Sequence, residues 1–173
     1  MGATYERDVE PGELIFVDEN GLRSERFAEP ARCLAQCVFE MVYFARPDSR
    51  VFGRNVHLVR LEYGKRLAEE FPVEADIVIP VPDSGNSAAL GFSHGSGIPL
   101  DYGFIRNHYV GRTFIMPETG DRERGVDMKL SVLPEVVAGK RVVVVDDSIV
   151  RGTTARRRVA HLREAGAAEI HVR

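Results

Sequence analysis

Apolar residues fall in short runs along this chain, and their spacing changes character near residue 76. From there strand-like runs alternate with helix-like ones. Asp76-Ile77-Val78-Ile79-Pro80-Val81 reads as a strand, Asn86 to Ser96 as a helix and Leu100 to Ile105 as a second strand. After a long polar stretch come a strand over 141–145, a helix over 153–165, and Glu169-Ile170-His171-Val172 opening a further strand. The unbroken run Val142-Val143-Val144-Val145 predicts a strand buried on both faces, since a one-faced strand would alternate apolar with polar. Such alternation predicts an α/β fold, a mostly parallel sheet flanked by helices. Ligands of such sheets bind beyond the carboxyl ends of the strands, so the residues that follow each strand are the candidates for chemistry.

Upstream the pattern is different. Residues 54–70 predict a helix, with Val56, Val59, Leu61, Tyr63, Leu67 and Ala68 apolar and Phe71-Pro72 ending it. Apolar positions at Cys33, Leu34, Cys37, Val38, Met41, Val42 and Phe44 predict a short helix running into a strand. Near the start, Glu10-Pro11-Gly12-Glu13 reads as a turn, Leu14-Ile15-Phe16-Val17 as a short strand and Asp18-Glu19-Asn20-Gly21 as a second turn. We therefore expect a small N-terminal β piece over 1–30 and the main domain over 31–173. The strand at the end of the chain has nothing after it to cover it, which reads as a truncation.

Composition narrows the function classes. At 173 residues, 44% hydrophobic and 28% charged, the sequence is long enough for one domain with a real core. A formal net charge of −3 gives no general attraction to nucleic acid or to anionic membrane, so any anion binding must be local. No apolar run approaches the ~18 residues of a membrane span, and Met1-Gly2-Ala3-Thr4 lacks a signal peptide's apolar core. Two cysteines, Cys33 and Cys37, make no disulfide framework, and a reducing cytoplasm is the expected setting.

The valine strand empties into Asp146-Asp147-Ser148-Ile149-Val150-Arg151-Gly152-Thr153-Thr154. A hydroxyl- and glycine-rich loop between a strand and a helix N-terminus turns backbone N–H groups and the helix dipole toward one spot, which suits a phosphate. The paired acids beside it suit sugar hydroxyls or a metal. A phosphorylated sugar satisfies both halves. A second small-residue loop, Val81-Pro82-Asp83-Ser84-Gly85-Asn86-Ser87, follows the first parallel strand. It reads equally as an anion loop or as an ordinary helix cap. The polar stretch from Asn107 to Lys129 is longer than most loops inside a domain. Arg156-Arg157-Arg158 lies on the last helix and reads as an exposed basic face.

The thirteen-residue run from Val142 to Thr154 resembles the signature of phosphoribosyltransferases that bind phosphoribosyl pyrophosphate (PRPP), and in its full form that of the amidophosphoribosyltransferase family. The likeness extends over nearly the whole chain. It implies the type I phosphoribosyltransferase fold and transfer of a phosphoribosyl group from PRPP to ammonia, giving 5-phosphoribosylamine, the first committed step of purine synthesis. Asp146 and Asp147 would hold the ribose hydroxyls, directly or through Mg²⁺, and Ser148, Ile149, Val150, Arg151, Gly152, Thr153 and Thr154 would clamp the 5-phosphate. Asp83, Ser84 and Gly85 match the pyrophosphate loop, with Ser84 at the magnesium site. The stretch from Asn107 to Lys129 resembles the loop that closes over PRPP. Within it Arg112 would grip the leaving pyrophosphate, and Tyr109, Arg124 and Lys129, with Arg106 just before it, match further family positions.

Cys37, in Cys37-Val38-Phe39-Glu40-Met41-Val42-Tyr43-Phe44-Ala45-Arg46-Pro47-Asp48-Ser49, matches the first ligand of the family branch that carries a [4Fe–4S] cluster. Such a cluster takes four thiolates, so it would belong to a longer parent. Arg7-Asp8-Val9-Glu10-Pro11-Gly12-Glu13 resembles the end of the family's glutaminase domain. With no cysteine before Cys33, glutamine-dependent activity is not expected of this chain. The implied partners are PRPP, ammonia (glutamine in the parent), purine nucleotides as feedback ligands and, in the parent, further copies of the chain. The family's Lys-Asn-Arg-Tyr becomes Arg106-Asn107-His108-Tyr109 here, which leaves two other readings open: a regulatory module that binds PRPP without turnover, and a nucleobase phosphoribosyltransferase.

Overall fold

The computed structural model describes residues 2, 4–30, 33, 35–107 and 130–173. They divide into two compact units, 1–37 and 38–173. The first holds an antiparallel hairpin of β1 (Glu13–Asp18) and β2 (Gly21–Arg26), with Asp18 paired to Gly21 across a tight turn. The sequence pattern predicted only the first of these strands, because β2 has an unbroken exposed face and hence no apolar alternation to betray it. Glu13 ties the unit together: its carboxylate takes both arms of the Arg7 guanidinium, at 2.8 and 2.7 Å, and the hydroxyl of Ser24. These donors hold it down at about 2, far below its usual range.

The second unit opens with a single π-helical turn (Glu40–Phe44) and a small antiparallel pair, β3 (Arg50–Val51) and β4 (Arg54–Asn55). The expected helix running into a strand over 33–44 is corrected here. The helical part is one turn, and extended chain at Ala45 follows it. Helix α1 (Val56–Glu70) starts where the Asn55 side chain accepts the Leu58 amide at 3.0 Å. It packs against α2 (Asn86–Ser96) at very short range. A Cβ at Gly64 would stand 1.9 Å from the Ala88 carbonyl oxygen, and one at Gly91 would stand 1.9 Å from that of Leu61. Only glycine permits that approach.

The central sheet is parallel, in the order β5 (Ile77–Pro80), β8 (Arg141–Val145), β9 (Glu169–Val172). Alternation along β5 and β8 sends Ile77, Ile79, Val142 and Val144 into one core, with Phe104, Val137 and Leu162. Val78, Val143 and Val145 enter the other, with Ala68, Ala89 and Phe92. Burial on both faces is why the valine run has no polar interruption. The expected strand from Leu100 to Ile105 is divided. Leu100 makes one parallel bridge to Val78, whereas β6 (Phe104–Arg106) leaves the sheet and pairs antiparallel with β7 (Leu130–Val132). A short helix α3 (Pro134–Val137) precedes β8, and α4 (Thr153–Glu164) joins β8 to β9.

Candidate active site

At the carboxyl end of β8 the chain opens a cleft of ≈ 640 Å³. Asp146, Asp147 and every residue from Ser148 to Ala155 line it, with Ser84 and Pro82 on one side, Tyr43 on another, and Arg158 from α4. The loop is exposed except at Gly152, and Val150 is 89% exposed, so its apolar side chains do not anchor it in the core. Gly152 sits before α4 at φ 72°, a left-handed conformation that suits a residue without a Cβ. It caps a helix whose first turn receives no side-chain hydrogen bond. The free N–H groups of that turn are the donors an anion needs.

The two acids differ. Asp146 is held in place from several sides: its amide donates to the Arg173 carbonyl at 3.1 Å, and its carboxylate accepts the Asp147 amide at 3.0 Å and an Arg158 guanidinium N–H. Burial pushes its pKa up; the cation at Arg158 pulls the other way without cancelling the effect. Asp147 accepts the Ser148 hydroxyl. Arg158 corrects the reading of the Arg156-Arg157-Arg158 run as an exposed face, because its side chain turns into the cleft. A sequence signal for it existed: it lies four residues after Thr154, on the helix face that looks back at the strand end.

In the loop after β5 only Ser84 and Pro82 reach the cleft. Gly85 is packed between strand ends, where a Cβ would meet the Val145 and Val81 carbonyl oxygens at 2.5 and 2.8 Å. Asp83 forms an ion pair with Arg106 on β6. These two expected ligand contacts therefore engage each other. His108, Tyr109, Arg112, Arg124 and Lys129 lie outside the described residues. Cys33 and Cys37 are exposed free thiols. Arg60, which sequence reasoning passed over, is a buried guanidinium beneath the π-helical turn and interacts with the charge of Asp147.

The donor set fits magnesium in one specific way. Among the described residues no group of three or more His, Cys, Asp or Glu side chains could hold a metal by itself. Two adjacent carboxylates and a serine hydroxyl do suit Mg²⁺, which prefers one or two carboxylates and completes its shell with water and substrate phosphate. No helix among the described residues is long and apolar enough to cross a membrane.

No family model matches the chain. Individual proteins do. The chain is 57% identical over 173 residues to the amidophosphoribosyltransferase of Mycobacterium tuberculosis H37Rv, all of this chain and 32% of that one. It is 56% identical over 173 residues to that of Bacillus subtilis 168, covering 36% of it, and 56% identical over 171 residues to the chloroplastic amidophosphoribosyltransferase 1 of Arabidopsis thaliana, covering 30% of it. Two solved structures superpose closely, each over 99% of this chain and 37% of the other. They are an allosteric regulatory enzyme of purine biosynthesis, TM-score 0.85, and the glutamine PRPP amidotransferase of B. subtilis complexed with ADP and GMP, TM-score 0.84, both at 57% identity. The chain spans about a third of the length of the relatives it matches. Over essentially all of its length the chain matches, in sequence and in fold, about a third of the length of the amidophosphoribosyltransferases, and with them it belongs to the α/β type I phosphoribosyltransferase fold.

Proposed function

We propose that the cleft binds PRPP and that this chain carries phosphoribosyl transfer to ammonia, yielding 5-phosphoribosylamine and pyrophosphate, a committing step of purine synthesis. The observation that supports it most is the joining of two chemistries at one strand end. An uncapped helix N-terminus with its hydroxyl-rich loop sits within the same cleft as two carboxylates. The 5-phosphate takes the loop and the Thr153 and Thr154 end of α4, where N–H groups and dipole both favour an anion. Asp146 and Asp147 face the ribose hydroxyls.

The bond that breaks joins C1 of the ribose to a pyrophosphate oxygen, and the electron pair leaves with pyrophosphate. The ammonia lone pair forms the new bond at C1, and the proton it sheds goes to solvent. No residue has to act as a general base, because ammonia arrives uncharged. The carboxylates of Asp146 and Asp147 stabilise the positive charge that grows on the ring as the bond loosens. Held rigidly at the strand end, they also fix the sugar for attack. When bound, Mg²⁺ supplies charge neutralisation for the pyrophosphate oxygens. Asp146, Asp147 and Ser84 would hold it. Arg112 is assigned to the leaving group by likeness to the family alone.

Residues 1–30 are read as the end of a glutaminase domain and its linker, Cys37 as a candidate thiolate ligand of a cluster whose other ligands this chain does not supply, and purine nucleotides as further ligands of the assembled enzyme. The reducing setting that two free exposed thiols suit is the cytoplasm. The test is to mix the chain with PRPP, Mg²⁺ and ammonium salt and follow pyrophosphate. Release that depends on all three supports the assignment. Tight PRPP binding with no release favours the second reading, a PRPP-binding regulatory module, which the departure to Arg106-Asn107-His108-Tyr109 keeps open. No binding at all rejects both.

A further inference from the structure

Arginine is out of place at position 60. The buried stripe of α1 runs Val56, Arg60, Gly64, Ala68, every fourth residue, and Arg60 is only 3% exposed. A guanidinium there must find acceptors or cost the fold dearly. It finds them in the π-helical turn. Its Nε donates to the Met41 carbonyl at 2.7 Å and its NH2 group to the Ala45 carbonyl at 2.9 Å. The turn closes through the Ala45 amide on the Glu40 carbonyl at 3.0 Å and then ends in extended chain, so the next carbonyl, that of Met41, has no amide to continue the ladder. Arg60 supplies the missing donor. Between the two carbonyls it grips lies Tyr43, which lines the cleft.

We propose that Arg60 is a positioning residue of the cleft: its buried fork caps the π-helical turn at Met41 and Ala45 and so fixes the wall on which Tyr43 stands. π-helical insertions recur at functional sites, where they place a side chain that a regular helix would not. Burial lowers the Arg60 pKa, and the negative charge of Asp147 works against that effect. A lysine would not replace it, since a point charge cannot serve two carbonyls in a fixed fork.

For its ligand this inference rests on the reading of the cleft as a PRPP site. The experiment therefore has two independent readouts on the chain, backbone amide exchange and titration with Mg²⁺-PRPP. In Arg60→Met we expect protection of the Ala45 amide to fall about tenfold and PRPP affinity to weaken about tenfold, the scale of a lost hydrogen bond to a charged group. Amides of α1, α2 and β5 should keep their protection. Arg60→Lys should recover only part of both losses. Tyr43→Ala should weaken PRPP binding without changing exchange in α1 or α2. Unchanged Ala45 protection in Arg60→Met would overturn the proposal. So would an equal loss of protection across α1, α2 and β5, which would make Arg60 a general core residue, or wild-type affinity in Tyr43→Ala. If the unaltered chain binds no PRPP, the reading of the cleft fails, and the exchange measurement alone judges the cap.

Discussion

The two ends of strand β8 carry the same kinds of residue and do opposite work. At the amino end Arg141 is clasped by Asp76, at 2.9 Å between side chains and 2.8 Å from its amide to the same carboxylate. That pair lies at the surface and holds the Asp76 carboxyl below its usual range, with the Arg141 hydrogen bond as the leading cause. At the carboxyl end Asp146 meets an arginine too, yet burial wins and its pKa rises. A carboxylate with a lowered pKa stabilises the fold when ionised; one with a raised pKa is ionised at the expense of the fold. From one end of β8 to the other the surroundings thus pass from an acid whose ionisation serves stability, Asp76, to one whose ionisation burial opposes, Asp146. This is the pattern expected when a site is built at the ligand edge of a parallel sheet.

The contrast can be broken most severely at the carboxyl end. Asp146→Asn and Asp147→Asn should each cut ammonia-dependent pyrophosphate release on the order of a hundredfold or more, the scale of losing an electrostatic group in a transition state. The melting temperature of Asp146→Asn should hold or rise, since the substitution removes a charge that burial disfavours. A large loss of stability with an unchanged rate would reverse the assignment. Next in size is Thr153→Val, expected to weaken PRPP binding by about 1–2 kcal/mol with no effect on folding. Calorimetric titration checks it.

At the amino end Asp76→Asn should lower the melting temperature slightly, by an amount that added salt reduces, and leave PRPP affinity untouched. The pH dependence separates the two ends further. The contribution of Asp76 is complete above its ordinary 3.8 and fades as pH falls through its lower folded value. The penalty from Asp146 has the opposite sign. It is absent below 3.8 and grows as pH rises through its raised folded value. Melting curves of the chain and the two Asn variants between pH 3 and 7 should therefore diverge in opposite directions on going up in pH. In the N-terminal unit, Glu13 should support the hairpin fully above about 4.5 and release it only as pH falls toward about 2; proton exchange of the hairpin amides against pH reports it.

The sequence made the sheet legible where burial imposes a period. Val142 to Val145 announced a two-faced strand, and Asn86–Ser96 matches the helix its pattern predicts. The loop from Ser148 to Thr154 was readable as a strand-to-helix turn at the cleft because its small and hydroxyl residues are a local signal, while its role as a phosphate cradle rests with the proposal. What stayed hidden depends on partners distant in sequence. β2 has no buried face, so nothing marks it before it pairs. β6 departs from the sheet because β7, more than twenty residues on, takes its edge. Arg158 and Arg60 look like surface charge until the strand end and the π-helical turn supply Asp146 and two carbonyls. Arg60 left a trace that spacing alone offers: a charged residue in register with Val56, Gly64 and Ala68.

The claim that the carboxyl end of β8 is the PRPP site is tested most directly by mapping backbone amide shifts of the chain as Mg²⁺-PRPP is added. Saturable shifts centred on Ser148 to Thr154 and on Ser84, with Asp76 and Arg141 unmoved, are the predicted result. Shifts confined to other faces of the unit, or none at saturating PRPP, would contradict it.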